Sequence, residues 1–209
     1  MPPVTPYARD DILIDTFKTD KTARMICRPV SEPVLVIGRA GRIEEEVRVD
    51  AVVQDGVRVA RRKGGGCTVF LDPGNLVVSV VFPSAGYLNI QPLFKKSVQW
   101  LINGLIRSGI KGVYPDGISD IVLNNKKVGG TCFYRAKGLS YFSASLLVSA
   151  ELEKIERYLH HPPREPLYRK GRLHLDFLTN LNDCFNGLTV NRLSQALIRH
   201  LDIQALSDE

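Results

Sequence analysis

The chain has 209 residues, 44% of them hydrophobic, enough to bury a sizeable core and too apolar for wholesale disorder. No window reaches the roughly 18 to 20 uninterrupted apolar residues that span a bilayer, and the Met-Pro-Pro-Val-Thr-Pro start lacks a basic-then-apolar export signal, so a cytoplasmic protein without membrane association is expected. Twenty-eight Lys and Arg against 22 Asp and Glu give a net charge of +6, which steers acidic partners; the cations are scattered and not interleaved with aromatics, which argues against nucleic acid.

Residues 1–20 are rich in Pro and Asp, with one apolar run at Ile12–Ile14, and read as a surface arm ending in an early strand. Val34–Ile37, closed by Gly38, suits a buried strand. Arg48–Gln54 reads as a short helix stopped by Asp55-Gly56, and Val57–Ala60 as a half-buried strand. The turn residues Asp72-Pro73-Gly74-Asn75 lead into a strand over Leu76–Phe82. Apolar residues at three- and four-residue spacing predict a helix over Ile90–Arg107. Ile118–Leu123 and Lys127–Phe133 flank Asn124-Asn125-Lys126, whose asparagines tolerate the left-handed backbone of a hairpin turn.

Leu139–Val148 then reads as a strand, Glu151–Leu159 as a helix and Leu188–His200 as a last amphipathic helix, with a polar, Pro-rich stretch over His160–His174. Hairpin-linked strands with helices between the groups predict one α+β domain over 1–209, with a mixed, largely antiparallel sheet flanked by helices. The cysteines at 27, 67, 132 and 184 form no Cys-x-x-Cys pair, so reduced thiols are expected, with neither a zinc site nor a disulfide framework.

Two segments carry chemistry. Arg61-Arg62-Lys63-Gly64-Gly65-Gly66 puts three cations beside three glycines between strands. Glycines let backbone N–H groups approach an anion and guanidinium groups pair with carboxylate or phosphate, so the loop reads either as an anion cradle or as a flexible turn with solvated charges. It lacks the Gly-Lys-Ser/Thr ending of a Walker loop and the Gly-x-Gly-x-x-Gly of a dinucleotide fold. In the second segment, Asp120 and Lys127 lie on opposite arms of the predicted hairpin, with Gly129-Gly130 following. A carboxylate there suits Mg²⁺ and a lysine suits a carboxylate or phosphate, provided the register turns both to one cleft.

Val36-Ile37-Gly38-Arg39, Arg61-Arg62 through Gly65-Gly66, Val69-Phe70, Asp72 and Gly74-Asn75, followed by Ser119-Asp120-Ile121, Lys127-Val128, Gly130, Ser145-Leu146-Leu147 and Thr179-Asn180-Leu181, resemble the biotin/lipoate A/B protein ligase family, closest to its lipoate-protein ligases. The resemblance runs from about residue 34 to 181. It implies that lipoate attacks the α-phosphate of ATP to give lipoyl-AMP, and that a lysine of an acceptor then displaces AMP. Lys127 would be catalytic, bridging acyl carboxylate and α-phosphate. Arg62 would hold the adenylate, with Gly65, Gly66, Cys67, Thr68, Val69, Phe70, Asn75 and Gly130 completing the ATP and lipoyl-AMP site. Asp120 would contact Mg²⁺ or the nucleotide.

The implied acceptor is a lipoyl domain or a glycine-cleavage H-like protein, with a separate accessory subunit in place of the C-terminal accessory domain of long ligases, which is expected to be absent. Lys170 and Arg172, in the basic loop before His174, are the candidate acceptor face, and His174 is the histidine placed where substrate contact can occur. The chain departs from the resembling ligases at Cys67, where a glycine is usual, and at Leu71, where a histidine is usual. Three alternatives remain: an octanoyltransferase working through a cysteine such as Cys67 or Cys132, a biotin-protein ligase, and a non-catalytic lipoate-binding subunit.

Overall fold

The computed structural model describes residues 1–84, 90–136 and 138–207. In chain order it contains β1 (Val4–Pro6), α1 (Ala8–Asp20), β2 (Arg24–Pro29), β3 (Val34–Ile37), α2 (Ile43–Glu46), α3 (Val49–Gln54), β4 (Arg58–Arg61), β5 (Val69–Leu71) and β6 (Asn75–Pro83). There follow α4 (Ile90–Arg107), β7 (Tyr114–Asp116), β8 (Asp120–Leu123), β9 (Lys126–Ala136), β10 (Leu139–Leu147) and α5 (Leu152–Tyr158). A 3₁₀ turn at Leu167–Arg169, then α6 (His174–Phe177), α7 (Leu181–Cys184), α8 (Val190–His200) and α9 (Gln204–Ser207) complete the chain.

The strands form two sheets. Six run antiparallel in the order β2-β6-β10-β9-β8-β7, and four form a mixed sheet, β1-β4-β3-β5, in which β4 runs parallel to both of its neighbours. The α+β expectation and the mixed, largely antiparallel pairing therefore hold.

Alternation along β6 assigns its two faces. Leu76, Val78, Val80 and Phe82 pack with Val98, Leu101, Ile102 and Leu105 of α4 and with Leu193 and Leu197 of α8. Val77 packs instead with Val34, Val36 and Leu71 of the small sheet. A strand buried on both faces reads as a nearly continuous apolar run, as Leu76–Phe82 does apart from Ser79, whose hydroxyl is satisfied by Ser143 and Tyr141. Truncating such a side chain, as in Leu105→Ala, costs about 2–5 kcal/mol.

The N-terminus corrects the sequence reading. Residues 1–20 are not an arm ending in a strand at Ile12–Ile14. Ala8–Asp20 is helical and buries Leu13, Ile14 and Phe17 against Val81, Leu139 and Tyr141, while Ile12 stays exposed. Positions 13, 14 and 17 lie on one side of a helix, whereas a run of three apolar residues without wider periodicity mimics a strand. The helix stops at Lys21, whose left-handed backbone (φ 58°) lets its N–H bond the carbonyl of Phe17.

Candidate functional site

A cavity of about 720 Å³ opens between the two sheets, walled by Val36, Val69 and Phe70 on one side and by Val77, Ser143, Ser145 and Leu147 on the other. A strap over 162–172 and the β7–β8 turn border it, and Ile118 and Leu167 line it while being 90% and 97% exposed.

The β8–β9 hairpin supplies its polar centre. Asn124 and Asn125 take the left-handed backbone (φ 51° and 61°) expected of the turn. In a regular ladder, residues 127 and 130 would point to opposite faces. Here Asp120 pairs with Gly130, but Val122 pairs with Lys127, because the register slips between Ile121 and Val122. That irregularity turns Val128 into the core under α4 and brings Lys127 and Gly130 to the same face as Asp120. Lys127 Nζ lies 2.7 Å from Asp120 Oδ1. A Cβ on Gly130 would fall 3.3 Å from that same Nζ, so glycine leaves the ammonium its space.

The second oxygen of Asp120 accepts a 2.9 Å hydrogen bond from the Tyr168 hydroxyl. Burial first, and then the Asp120 charge, push that phenol far above its usual range, so it remains a donor. With one oxygen on an ammonium and the other on a phenol, the buried Asp120 does not suit a resident Mg²⁺. Among the described residues no group of three His, Cys, Asp or Glu could hold a metal ion. The Mg²⁺ expectation at Asp120 finds no support in this geometry.

The glycine-rich loop differs from an open cradle. Arg62 is buried, and its guanidinium donates to the carbonyls of Val36 (2.9 Å), Gly65 (2.8 and 3.2 Å) and Cys67 (2.8 Å). Arg61 donates to Gly38, Arg39 and Gly41, and Lys63 pairs with Asp11 of α1. All three cations therefore organise backbone or secure α1. Gly66 adopts φ +94°, and its carbonyl would collide with any Cβ on Gly38, so the two glycines permit this close approach.

Of the residues expected at the site, Arg62, Gly66, Cys67, Thr68, Val69, Phe70, Asn75, Asp120, Lys127 and Gly130 line the cavity. Gly65 does not, and serves as an acceptor for Arg62. Asn75 accepts from the N–H of Asp72 and donates to the carbonyl of Leu146, which locks the turn before β6.

Some residues in and around the cavity were not expected from the sequence. Glu46, within an acidic run that looks solvated, is buried and accepts from the N–H of Thr68 at 2.5 Å. Tyr168, which reaches the site through Asp120, and Arg169, which lines the cavity, come from the stretch read as polar loop; His174, the histidine expected near substrate, lines the cavity and opens a helix. Arg172 is not a free surface cation: it donates to Tyr168, Arg169 and Asn125 carbonyls and stacks on Phe177. Lys170 remains exposed. Cys67 and Cys132 line the cavity, but burial and then Glu46 push the Cys67 thiol up, away from the reactive thiolate.

A model of the lipoyl protein ligase A/B catalytic domain matches residues 2–202. The chain belongs to that family. A lipoate-protein ligase A from Blochmanniella pennsylvanica is 28% identical over 182 residues, 81% of this chain and 51% of that protein; the chain spans about half the length of the curated relatives it matches.

Among solved structures, a bipartite lipoate protein ligase from Thermoplasma acidophilum, studied with its E2 lipoyl domain, superposes with a TM-score of 0.77 at 24% identity, over 95% of this chain and 80% of that one. A lipoate-protein ligase A bound with ATP gives 0.76 at 25% identity, over 96% and 82%. Leu71, where the resemblance led to the expectation of a histidine, packs with Val30, Val34 and Val77 and presents an apolar side chain to the cavity wall.

Proposed function

We propose that the chain is an ATP-dependent lipoate-protein ligase acting in the cytoplasm, with 1–209 as one catalytic unit. A lipoyl-type carboxylate attacks the α-phosphorus of ATP, pyrophosphate leaves with the electron pair of the broken P–O bond, and an acceptor lysine then attacks the acyl carbon and expels AMP. The observation that carries this reading is the Lys127 ammonium, held at 2.7 Å by Asp120 in a cavity between the sheets. Both steps concentrate negative charge near one phosphorus, and a cation already oriented there stabilises it without reorganising. Asp120 aims the ammonium, and Tyr168 holds Asp120.

Mg²⁺ enters with ATP as part of the substrate. Arg62 keeps the glycine-rich loop in shape for the adenylate, and Gly66 to Phe70 form the wall beside it. The kinship with lipoate-protein ligase A and the ATP-bound structural neighbour support ATP and lipoate as substrates. The Thermoplasma ligase, bipartite and studied with an E2 lipoyl domain, supports a lipoyl domain as acceptor and a second subunit beside this chain. An acidic lipoyl domain or H-like protein would meet the mouth at Ile118 and Leu167, with the exposed Lys170 beside the latter.

Incubating the chain with MgATP, lipoate and a lipoyl domain, and reading the acceptor by mass spectrometry, tests this. Acyl transfer from an acyl-carrier donor without ATP, abolished in a folded Cys67→Ser and Cys132→Ser double variant, would establish the octanoyltransferase instead. The placement of both thiols on the cavity wall makes that the relevant rival.

A further inference from the structure

Arg169 is 4% exposed, lines the cavity, and carries a terminal nitrogen, Nη2, with no hydrogen-bond partner among the described residues. A buried donor without an acceptor is costly, and for a guanidinium the cost is larger than for a neutral group. The rest of the side chain is firmly placed. Nε donates to the carbonyl of Arg172 at 3.0 Å and lies 3.6 Å from Glu165 Oε2, and the guanidinium carbon stands 4.7 Å from the centre of the Phe177 ring. The backbone N–H bonds the carbonyl of Pro166 at 2.9 Å, closing the turn that also presents Tyr168 to Asp120. An anchored arginine with one open donor, one residue from the Tyr168–Asp120–Lys127 chain, has the form of a ligand contact.

We propose that Arg169 binds the phosphate of the nucleotide, donating from Nη2 to an α-phosphate oxygen; this rests on the adenylating reading of the cavity. The other cavity cations leave that role open. Arg62 is engaged by carbonyls and Arg164 is exposed, while Lys127, shared with Asp120, serves the reacting centre and leaves room for a second donor to the phosphate. The choice of phosphate over the acyl carboxylate follows from charge. The carboxylate loses its negative charge once it is acylated to AMP, whereas the α-phosphate stays anionic in ATP, in the acyl-adenylate and in AMP. An arginine cannot deprotonate to match a vanishing partner, so a persistently charged donor suits the persistently charged group.

Titrating AMP and, separately, lipoate into the full chain and its Arg169→Met and Arg169→Lys variants by calorimetry tests the assignment. Arg169→Met should weaken AMP binding roughly 10- to 100-fold, the size of a charge-assisted hydrogen bond. Lipoate affinity should stay within about twofold, and any fall in melting temperature should be small, because losing the Nε bond to Arg172 is offset by removing a buried, unpaired donor. Arg169→Lys should recover part of the loss. Unchanged AMP affinity in Arg169→Met, or an equal loss of AMP and lipoate binding, overturns the assignment. If the wild-type chain binds no AMP, the nucleotide reading of the cavity fails and this inference falls with it; if it binds AMP but releases no pyrophosphate, only the adenylation reading fails.

Discussion

The glycine-rich loop at 61–67 and the strap at 162–172 both bring arginines to one cavity and use them in opposite ways. In the loop, Arg62 closes on the carbonyls of Val36, Gly65 and Cys67, so its charge shapes the loop. In the strap, Arg169 is fixed by Arg172 and Phe177 with Nη2 left open. The loop is the louder signal in the sequence and the strap the quieter one. Composition tells which donors a segment holds; only the fold tells which donors are already taken.

The contrast predicts opposite mutant phenotypes. Arg62→Ala removes a buried guanidinium from several carbonyls at once and should cost about 3–5 kcal/mol of stability, a fall of roughly 10 °C in melting temperature for a chain of this size. Arg169→Met should show no such fall. Thermal unfolding of the two variants side by side breaks the comparison if they melt alike.

Next in size is Lys127→Ala, which should lower lipoate-dependent pyrophosphate release roughly 10²- to 10³-fold, as loss of one preorganised donor does. Gly130→Ala should act in the same direction but more weakly, since its Cβ would meet the Lys127 ammonium at 3.3 Å and displace it. Steady-state rates on variants with unchanged circular dichroism check both.

A third test concerns the end of the strap. Burial, and then the Arg169 charge, hold the His174 imidazole down to about 4, against the opposing pull of Glu156 at 3.3 Å, with His161 adding a smaller push downward. The folded chain then binds fewer protons than the unfolded chain between about pH 6.5 and 4. Stability is complete above that window and is lost as pH falls through it, by on the order of 2–3 kcal/mol. Denaturant titrations across the window should show the loss, and His174→Gln should flatten it; an equally steep loss in the variant would assign it elsewhere.

The smallest effect belongs to the mouth. Leu167→Ser and Lys170→Glu should raise the KM for the acceptor protein by about 2- to 5-fold and leave pyrophosphate release intact, and added salt should mimic only the second. Arg172→Glu should instead destabilise the strap, because its guanidinium binds three carbonyls there.

How far the sequence could be read depended on whether the deciding interactions were local. The Asn124-Asn125 turn, the α4 periodicity and the β6 strand are written in neighbouring residues, and they appear where expected. Helix α1 is not legible because only Leu13, Ile14 and Phe17 face inward, too few positions for a periodic pattern. The hairpin is legible, but the register slip that turns Lys127 and Gly130 to one face is not, since an extra residue in a ladder leaves no mark in composition. Glu46 looks like a solvated charge until Thr68, twenty-two residues away, is in place, and Arg169 until the fold closes a cavity beside it.

The most direct test of the central claim is pyrophosphate release by the purified chain with MgATP and lipoate, with any accessory subunit supplied, beside Lys127→Ala. The account predicts release that requires both ATP and lipoate, accumulates lipoyl-AMP when acceptor is withheld, and falls at least about a hundredfold in the variant. Near-normal release by a well-folded Lys127→Ala, or acyl transfer that proceeds without ATP, would contradict it.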